Sequence, residues 1–383
     1  MSKGIYIGID NAARKVLSAY VGIDGVARRI KKAYVGVGGV ARPCLTSGPV
    51  EYYGAIPALD SAKRGQVSVN AGNYVLFGGG NGGPTSPTTY VDGVDAYDAS
   101  LVHSSCTALS VARSNLAAAS VGGFAIFAGG RSSSTSGTVT VDAYNNSHTM
   151  VAASNLSQGR YNLAGASVGN YALFAGGQYY NTSSRSTDDS DAVEAYNGSL
   201  TKTSLSYLVI GRWSLGGASV GNYALFAGGY AGAVSDMKRA VTLVNAYDSN
   251  LTSSVSVCSA RMNSVAISSQ KYALFAGGNN GYEANYIRQL SVDAYDEALT
   301  RCPIDDLSAY AYSLTSPGAC TNEYKVLARS GTIEIYDENL VHSLITGTTW
   351  PTQAAAGSVG DYIVVAGGVE CSSAYAILTM QEE

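Results

Sequence analysis

Val168-Gly169-Asn170-Tyr171-Ala172-Leu173-Phe174-Ala175-Gly176-Gly177 is the stretch that decides the fold, because the chain repeats it. The copies lie roughly 50 residues apart, which is the period of repeats that form propeller blades. A single blade cannot bury both of its faces, so this repetition predicts a ring of small stacked sheets. The stretch returns almost unchanged at 220–229 and with small changes at 121–130, 71–80, 270–278 and 359–368.

Each repeat predicts four strands. An arginine-bearing loop precedes a strand of small residues, a Gly-Asn or Gly-Gly turn follows, and the apolar strand then ends in Gly-Gly. A polar loop leads to a third strand ending in Asp-Ala-Tyr-Asp or a variant, and a fourth strand of mixed residues closes the unit. Four strands per unit is the pattern of a propeller blade. The third-strand tyrosines are Tyr97, Tyr144, Tyr196, Tyr247, Tyr295 and Tyr336.

The count of glycine-ended strands predicts seven blades. The sixth is degenerate, because 324–331 lacks the double glycine, and the seventh stops after a third strand at 374–380. We expect a strand within about residues 50–60 to complete the last blade, which would close the ring and remove its open edges. The glycine-ended strands end near Gly79, Gly130, Gly177, Gly229, Gly278, Gly331 and Gly368.

Residues 1–47 contain a shorter repeat and form a separate predicted module, with the propeller at 48–383. Three copies start 14 residues apart at Tyr6, Tyr20 and Tyr34, and each places Asp-Asn, Asp-Gly or Gly-Gly between β-prone runs. This pattern predicts three hairpins or one meander. So small a module is expected to dock on a partner, the alternative being a solvated appendage. Its repeated arginines, Arg14, Arg28 and Arg42, are the candidate attachment residues.

Charge and composition narrow the class of protein. The chain has a net charge of −4, but residues 1–47 have eight basic and two acidic residues (+6), which leaves −10 on the remainder. Nucleic-acid binding is not expected, because the acidic body would repel phosphate. We expect neither a signal peptide nor membrane insertion. The six cysteines are scattered, so they are interpreted as free thiols made in a reducing compartment.

The long repeat resembles the kelch-repeat family over about residues 60–380. The resemblance consists of the apolar strand ending in Gly-Gly, the Tyr ending the next strand and the Arg opening each unit, whereas the family's usual fourth-strand Trp is mostly missing. It implies an all-β, seven-bladed kelch-like β-propeller. The 1–47 repeat separately resembles short segments in tail and other structural proteins of phages of Gram-positive bacteria. Together, the two resemblances imply a component of a phage tail or phage-tail-like particle.

The repeated arginines are the first candidate ligand-binding residues. Placed at the mouth of the ring, they would bind carboxylates or sulfates, and the kelch resemblance implies acidic peptides as ligands. The alternative is that they tie down neighbouring loop carbonyls. Blade six offers Tyr310 and Tyr312 at this place, and blade seven offers Trp350. The arginines are Arg64, Arg113, Arg160, Arg212 and Arg261.

The loops before the first strand and after the double glycine are expected at the same end of each blade. Their Tyr, Ser, Gly and Asn content is typical of adaptable binding loops, although ordinary solvated loops look the same. The variable residues after the arginines are Asn115, Tyr161, Trp213 and Met262, of which Tyr161 and Trp213 are candidate ligand-binding residues. The loops after the double glycine span 81–90, 131–138, 178–191, 230–239 and 279–288. The candidate ligand-binding tyrosines there are Tyr179, Tyr180, Tyr230, Tyr282 and Tyr286.

Catalysis, metal binding and cofactors are not expected. The three histidines, His103, His148 and His342, follow third-strand tyrosines of different blades, so they cannot converge on one site. Asp188, Asp189 and Asp191 form the densest acidic cluster, but it lacks the later Glu of an EF-hand, which favours a solvated loop over a calcium site.

The function predicted from sequence is therefore non-enzymatic recognition. The expected protein is a receptor-binding or adhesin subunit of a phage tail or phage-tail-like particle. Residues 1–47 would join other subunits, and the propeller loops would meet a cell-surface glycan or protein. We expect a homo-oligomer that is made in the bacterial cytoplasm without a signal peptide. The alternatives are an intracellular kelch scaffold that binds acidic peptides in the arginine-rimmed mouth and, more weakly supported, a carbohydrate-active enzyme.

Overall fold

The structure is a computed structural model that describes residues 50–379, apart from 84–88, 134–135, 233–238, 281–286, 311–317, 330, 349 and 370. Before residue 50 it describes the backbone of six strands. The chain divides into two compact units, residues 1–51 with 379–383, and residues 52–378. The described residues contain only strands, turns and irregular segments, so none of them forms an apolar helix of membrane-spanning length.

The first unit contains three separate two-stranded antiparallel sheets, one for each short repeat. All three have the same register, because Gly8 lies opposite Ala13, Gly22 opposite Ala27 and Gly36 opposite Ala41. The strands are β1 (Tyr6–Ile9) and β2 (Ala12–Lys15), β3 (Tyr20–Ile23) and β4 (Val26–Arg29), and β5 (Lys32–Val37) and β6 (Val40–Thr46).

The second unit is a seven-bladed β-propeller, as predicted. Strand β7 (Val50–Ile56) precedes the blades. Blade one contains β8 (Val67–Ala71), β9 (Tyr74–Gly78), β12 (Val94–Asp98) and β13 (His103–Ser105), with β10 (Asn81–Gly82) and β11 (Thr89–Tyr90) in a loop. Blade two contains β14 (Ala117–Val121), β15 (Phe124–Ala128), β16 (Val141–Tyr144) and β17 (Met150–Val151). Blade three contains β18 (Ala164–Val168), β19 (Tyr171–Ala175), β22 (Val193–Asn197) and β23 (Lys202–Ser204), with the loop hairpin β20 (Gln178–Asn181) and β21 (Ser186–Asp189).

The remaining blades follow the same plan. Blade four contains β24 (Gly216–Val220), β25 (Tyr223–Ala227), β28 (Leu243–Asp248) and β29 (Ser253–Val257), with β26 (Tyr230–Ala231) and β27 (Arg239–Ala240) in its loop. Blade five contains β30 (Val265–Ser268), β31 (Tyr272–Ala276), β32 (Val292–Asp296) and β33 (Arg301–Cys302). Blade six contains β34 (Gly318–Thr321), β35 (Tyr324–Arg329), β36 (Gly331–Tyr336) and β37 (His342–Thr348). Blade seven contains β38 (Ala355–Val359), β39 (Tyr362–Ala366) and β40 (Ala374–Thr379).

The ring closes through blade seven. Its strand order is β38-β39-β40-β7, so the outermost strand comes from residues that precede blade one. Its innermost strand, β38, contacts the innermost strand of blade one, β8. The Gly368 N–H donates to the Lys63 carbonyl at 2.8 Å, and the Gln66 amide Nε2 donates to the Ala366 carbonyl at 2.8 Å. Closure of this kind removes the open sheet edges that a row of blades would leave.

Small residues line the axis because the innermost strands converge there. A cavity of about 270 Å³ runs between these strands. A Cβ added at Gly217 would lie 2.4 Å from the Gly165 carbonyl oxygen, and one added at Gly165 would lie 2.4 Å from the Ala118 carbonyl oxygen. At these two glycines the backbones of neighbouring blades thus approach too closely for a Cβ atom. The equivalent residues of the seven blades are Ser68, Ala118, Gly165, Gly217, Ala266, Gly318 and Ala356.

Serine side chains tie adjacent innermost strands together. The Ser120 N–H donates to the Ser167 hydroxyl at 3.1 Å, and the Ser167 hydroxyl donates in turn to the Ser120 carbonyl at 2.8 Å. The same position links Ser167 to Ser219 and Ser219 to Ser268, at 3.0 and 2.9 Å. These bonds occupy backbone groups that no strand within the blade pairs, and so they hold blades two to five in register.

Between the blades lies an apolar core with one recurrent aromatic pair. The second-strand Phe packs edge-on against the third-strand Tyr, as in Phe174 with Tyr196, whose ring centroids lie 5.8 Å apart. Both rings are fully buried. In several blades the phenol reaches the outer edge, where the Tyr144 hydroxyl, for example, donates to the Thr107 carbonyl at 2.9 Å. In those blades the tyrosine therefore fills the core and satisfies its one polar group, whereas the buried Tyr196 hydroxyl has no hydrogen-bond partner among the described residues.

The double glycine allows the backbone of the next blade to approach closely. Gly129 and Gly130 have φ angles of +62° and +104°, which glycine adopts readily. The Gly130 N–H donates to the Arg160 carbonyl at 2.9 Å. A Cβ at Gly129 would lie 2.6 Å from that carbonyl oxygen, so the first glycine is needed both for its φ and for the close approach.

We predict that Gly129→Ala is more destabilising than Gly65→Ala. The φ angles match, at +62° and +60°, but a Cβ at Gly65 meets nothing within 4 Å. A left-handed alanine costs about 1–2 kcal/mol, and the forced shift of the Arg160 carbonyl adds about 1–3 kcal/mol. Urea unfolding of both variants measures the difference, and equal losses would show that interblade contact does not explain the double glycine.

Candidate ligand-binding face

Four of the five predicted rim arginines lie inside the blades. The side chains of Arg113, Arg160, Arg212 and Arg261 are fully buried. The expectation that they line an open mouth is wrong for these residues, because their guanidinium groups are engaged within the sheet. The alternative interpretation, an arginine that ties down neighbouring carbonyls, describes their geometry.

Blade three shows the contacts of this buried cation. The Arg160 Nη2 donates to the Glu194 carboxylate at 2.8 Å and to the Phe174 carbonyl at 3.3 Å, and Nη1 donates to the Ala192 carbonyl at 3.1 Å. The second carboxylate oxygen of Glu194 accepts from the Ser157 hydroxyl at 2.7 Å and pairs with the Lys202 ammonium at 2.9 Å. Burial lowers the pKa of Arg160, although the charge of Glu194 opposes that shift.

In four other blades a buried cation likewise bonds to a third-strand side chain, which is Asp in three of them and Asn in the fourth. In blade one the buried cation is Lys63, and the predicted Arg64 is the next residue, half-buried, with its N–H bonded to the Asn81 carbonyl at 3.0 Å. Blade four pairs Arg212 with a neutral amide, and burial lowers the pKa of Arg212 to about 10. The pairs and their distances are Lys63–Asp95 at 2.6 Å, Arg113–Asp142 at 2.7 Å, Arg212–Asn245 at 2.9 Å and Arg261–Asp293 at 2.5 Å.

Blades six and seven fill this position in other ways. In blade six, Arg329 from the second strand itself lies 3.1 Å from Glu334. In blade seven, an aromatic cluster of Trp350, Tyr52 and Tyr375 takes its place, with centroid distances of 5.3 Å and 5.5 Å from Trp350 to the two tyrosines. Trp350 is only 6% exposed, and its indole N–H donates to the Thr348 hydroxyl at 2.9 Å. The expectation that Trp350 belongs to the ligand-binding face is therefore wrong.

The histidines lie apart, as expected. His103 Nε2 lies 2.7 Å from Asp95 and His342 Nε2 lies 2.6 Å from Glu334, so each supports the buried carboxylate of its own blade. His148 is in a turn with φ of +58°, and its ring packs edge-on against Tyr74 at 3.9 Å. No two of these histidines share a site.

One group among the described residues has the chemistry of metal ligands, namely Asp60, Asp95 and His103. The Lys63 ammonium lies 2.6 Å from Asp95 and also donates to the Gly93 and Phe77 carbonyls, at 2.9 and 3.1 Å. The lysine thus supplies the positive charge that a metal ion would bring. This group is better explained as the ion pair of blade one.

We predict that Arg160→Met costs about 3–5 kcal/mol, because it leaves the buried Glu194 without its interior partner. Lys271→Met removes an exposed pair with Glu338, in which both side chains are about half exposed, so it leaves the free energy of unfolding close to that of wild type. Chemical unfolding of the two variants makes the comparison. A small loss for Arg160→Met would mean that the pair does not stabilise the blade.

We also predict a loss of stability in acid. Burial by itself would raise the pKa of Glu194, but Arg160, Lys202 and Ser157 outweigh it and hold that pKa below its ordinary value. The same balance, with Lys63 as the main cation, lowers the pKa of Asp95. Their stabilisation is therefore complete above the ordinary carboxyl range, about 4, and is lost as the pH falls through the lower folded pKa.

The measurement is the free energy of unfolding of wild type and of Glu194→Gln between pH 7 and pH 2. The glutamine reproduces the arginine–amide pair of blade four, so the variant folds but loses part of the acid dependence. An identical pH dependence in the two proteins would exclude Glu194 as a contributor.

The two predicted binding loops lie at the same end of each blade. The residue after the buried cation bridges the residue after the double glycine, as Tyr161 does with Gln178 and Trp213 with Tyr230. The prediction that these loops share one face of the ring is confirmed. We call this the loop face.

In the described part of the loop face, grooves lie between consecutive blades, and we label three of them A, B and C. Groove A, between blades two and three, has a volume of about 760 Å³, and groove B, between blades three and four, about 380 Å³. Groove C, between blades four and five, has about 410 Å³. These volumes fall within the range of roughly 300–1,000 Å³ that ligand pockets show. The lining of groove C is mainly aliphatic, with Ile210, Ala231, Val241, Leu243 and Ala260.

Tyr179 separates grooves A and B and lines both of them. It lies on β20, where it pairs with Asp188 of β21, so a regular hairpin positions it. Tyr180, 41% exposed, lines groove A. These two predicted residues therefore lie where a ligand would contact them.

Other predicted aromatic residues support the face from below. Tyr161 is buried, with the Arg131 guanidinium 5.0 Å above its ring. Tyr230 is 3% exposed and packs edge-on against the half-buried Trp213 at 5.4 Å. A direct ligand contact by Tyr161 or Tyr230 is thus not what the structure shows. Tyr282, Tyr286 and Tyr312 lie outside the described residues, as do the side chains of Arg14, Arg28 and Arg42.

Two groove residues were missed by sequence reasoning. Gln158 lines both grooves, and Tyr207, 67% exposed, lines groove B. Each lies in the loop that precedes the buried arginine of its own blade, and the residues of this loop vary from blade to blade. Their position two and five residues upstream of an arginine was the available signal.

The acidic cluster holds loops in place. The Asn181 amide donates to the Asp188 carboxylate at 2.6 Å, and the Gly232 N–H donates to the Asp189 carboxylate at 2.6 Å. Asp189 and Asp191 also line groove B. Because two of the three carboxylates bond to protein groups, the geometry does not support a calcium site.

No protein-family model matches the chain. The curated proteins contain no match to it either.

Proposed function

We propose that this β-propeller is a non-enzymatic recognition subunit whose loop face binds a cell-surface glycan or protein. The observation that supports this most directly is the pair of grooves A and B on either side of Tyr179, lined by three tyrosines and several hydrogen-bonding side chains. Tyrosine provides a large contact area at a low entropic cost and is typical of recognition surfaces.

The wider context of the proposal rests on the sequence resemblance. We propose that the protein is a receptor-binding or adhesin subunit of a phage tail or phage-tail-like particle, in which residues 1–47 contact other subunits. Three two-stranded sheets, each without a third strand, are marginal in water. A partner subunit or a further copy of the chain would supply the missing packing, which supports an oligomer.

The alternative of an acidic-peptide scaffold has lost its main support. That hypothesis required exposed arginines around one mouth, and four of the five are buried.

We predict that Tyr180→Ser/Tyr207→Ser weakens binding of the full chain to Gram-positive cells by roughly tenfold or more, since exposed aromatic residues in grooves are typical hot spots. Cell-associated protein is quantified against concentration by flow cytometry. The two side chains are 41% and 67% exposed, so their removal does not affect the core.

The matched control is Tyr53→Ser/Leu344→Ser, which removes two side chains that are 50% and 44% exposed and lie on the outermost strands of blades seven and six. This control is expected to bind cells like wild type. Equal binding by both double variants, or no binding of folded wild type to any cell, would refute a receptor site in grooves A and B.

A further inference from the structure

We propose that grooves A and B form one continuous site for a neutral oligosaccharide that straddles Tyr179. The inference rests on the proposed function and narrows it, since it commits the loop face to a sugar ligand without charged groups. The reasons are the shared wall between the grooves, the kind of side chains that line them and their charge.

The shared wall consists of Tyr179 and Gln158, which line both grooves. A ligand that places one sugar unit in each groove would contact Tyr179 with both. Tyr179 is held by the β20–β21 hairpin, in which Tyr179 pairs with Asp188 and Gln178 with Asp189. The Gly232 N–H of blade four in turn anchors Asp189 at 2.6 Å. The aromatic wall is therefore carried on a rigid element, which a binding site requires.

The polar lining suits hydroxyl groups. Gln158 offers an amide donor and acceptor, and serine and threonine hydroxyls can do both. Groove A has Ser132, Ser136 and Thr138 opposite Tyr179 and Tyr180. Aromatic rings accept the apolar C–H face of a sugar, while flanking hydroxyls and amides bond its rim. Few aliphatic side chains are present, in contrast to groove C, which is why we assign the sugar to A and B.

The charge of the lining excludes acidic sugars. Asp189 and Asp191 line groove B, whereas the described lining residues of grooves A and B include neither Lys nor Arg. Carboxylates accept hydrogen bonds from sugar hydroxyls but repel carboxylate, sulfate and phosphate groups. Three positive groups are next to lining residues in sequence. Arg160 and Arg212 are buried in ion pairs or amide contacts within the blades. The Arg131 guanidinium lies over the Tyr161 ring, and its Nε donates to the Ser133 carbonyl at 2.9 Å.

The first experiment uses the full chain on an array of neutral tri- and tetrasaccharides of hexoses and N-acetylhexosamines. The array also carries the same oligosaccharides modified with carboxylate, sulfate or phosphate groups. We expect neutral members to bind, with an affinity that is the same at low and high salt because no ion pair is formed. Binding restricted to acidic members, or to no oligosaccharide at all, would overturn the inference.

Three variants test the site itself. Tyr179→Ser is expected to weaken binding of the best neutral oligosaccharide at least tenfold, and Gln158→Ala to weaken it less. Asp191→Asn is expected to increase binding of the acidic counterpart relative to the neutral oligosaccharide, because a repelling charge has gone. Tyr53→Ser, on the outermost strand of blade seven, is the control. Each variant is first shown to unfold at the wild-type urea midpoint, and unchanged binding by folded Tyr179→Ser would refute the site.

Treated cells separate failure of this inference from failure of the proposed function. Periodate, which oxidises the vicinal diols of sugars, is expected to abolish Tyr180- and Tyr207-dependent binding, and protease treatment of the cells to leave it. Loss of binding after protease alone would overturn the sugar ligand while leaving recognition by the loop face intact. Absence of tyrosine-dependent binding to untreated cells would refute both.

Discussion

In each of blades two to five, the ring depends on one arginine that makes two interactions, one through its side chain and one through its backbone carbonyl. The side chain of Arg160 neutralises Glu194 inside blade three, and its carbonyl accepts the Gly130 N–H of blade two. A buried cation requires a close opposite charge or dipole, and a buried N–H requires an acceptor. The three repeated motifs, Arg, Gly-Gly and Asp-Ala-Tyr, therefore form one set of contacts, which we call the arginine contact set. In it the arginine binds the carboxylate of its own blade and the glycines of the preceding blade.

The arginine contact set differs in blades four, six and seven, and the differences show what the position of the buried cation requires. Asn245 replaces the carboxylate in blade four, Arg329 reaches Glu334 from another strand in blade six, and Trp350 with two tyrosines fills the place in blade seven. Ion pair, cation–amide pair and aromatic cluster are all accepted. The space must be filled, but a charge as such is not needed, consistent with the small net gain expected of buried ion pairs.

Burial of the cations also decides the chemistry of the loop face. Because Arg160 and Arg212 are enclosed by their own blades, the grooves beside them are left with Tyr179, Gln158 and Asp191 as their distinctive groups. A face that the sequence predicted to attract anions thus presents aromatic, amide and carboxylate side chains. The proposed ligand changes accordingly from an acidic peptide to a neutral, hydroxyl-rich molecule.

The sequence by itself determined the fold, because repetition, strand period and the Gly-Gly turns are local properties. From them it predicted seven blades and the shared end of the binding loops. It also predicted a last strand from residues 50–60, and in the structure β7 completes blade seven. It also identified Tyr179 and Tyr180. It did not determine the direction of the arginine side chains, since burial depends on the Asp or Glu brought from about 30 residues away. Only the tertiary structure placed Gln158 and Tyr207 beside Tyr179, because loops of consecutive blades meet only when the ring is closed.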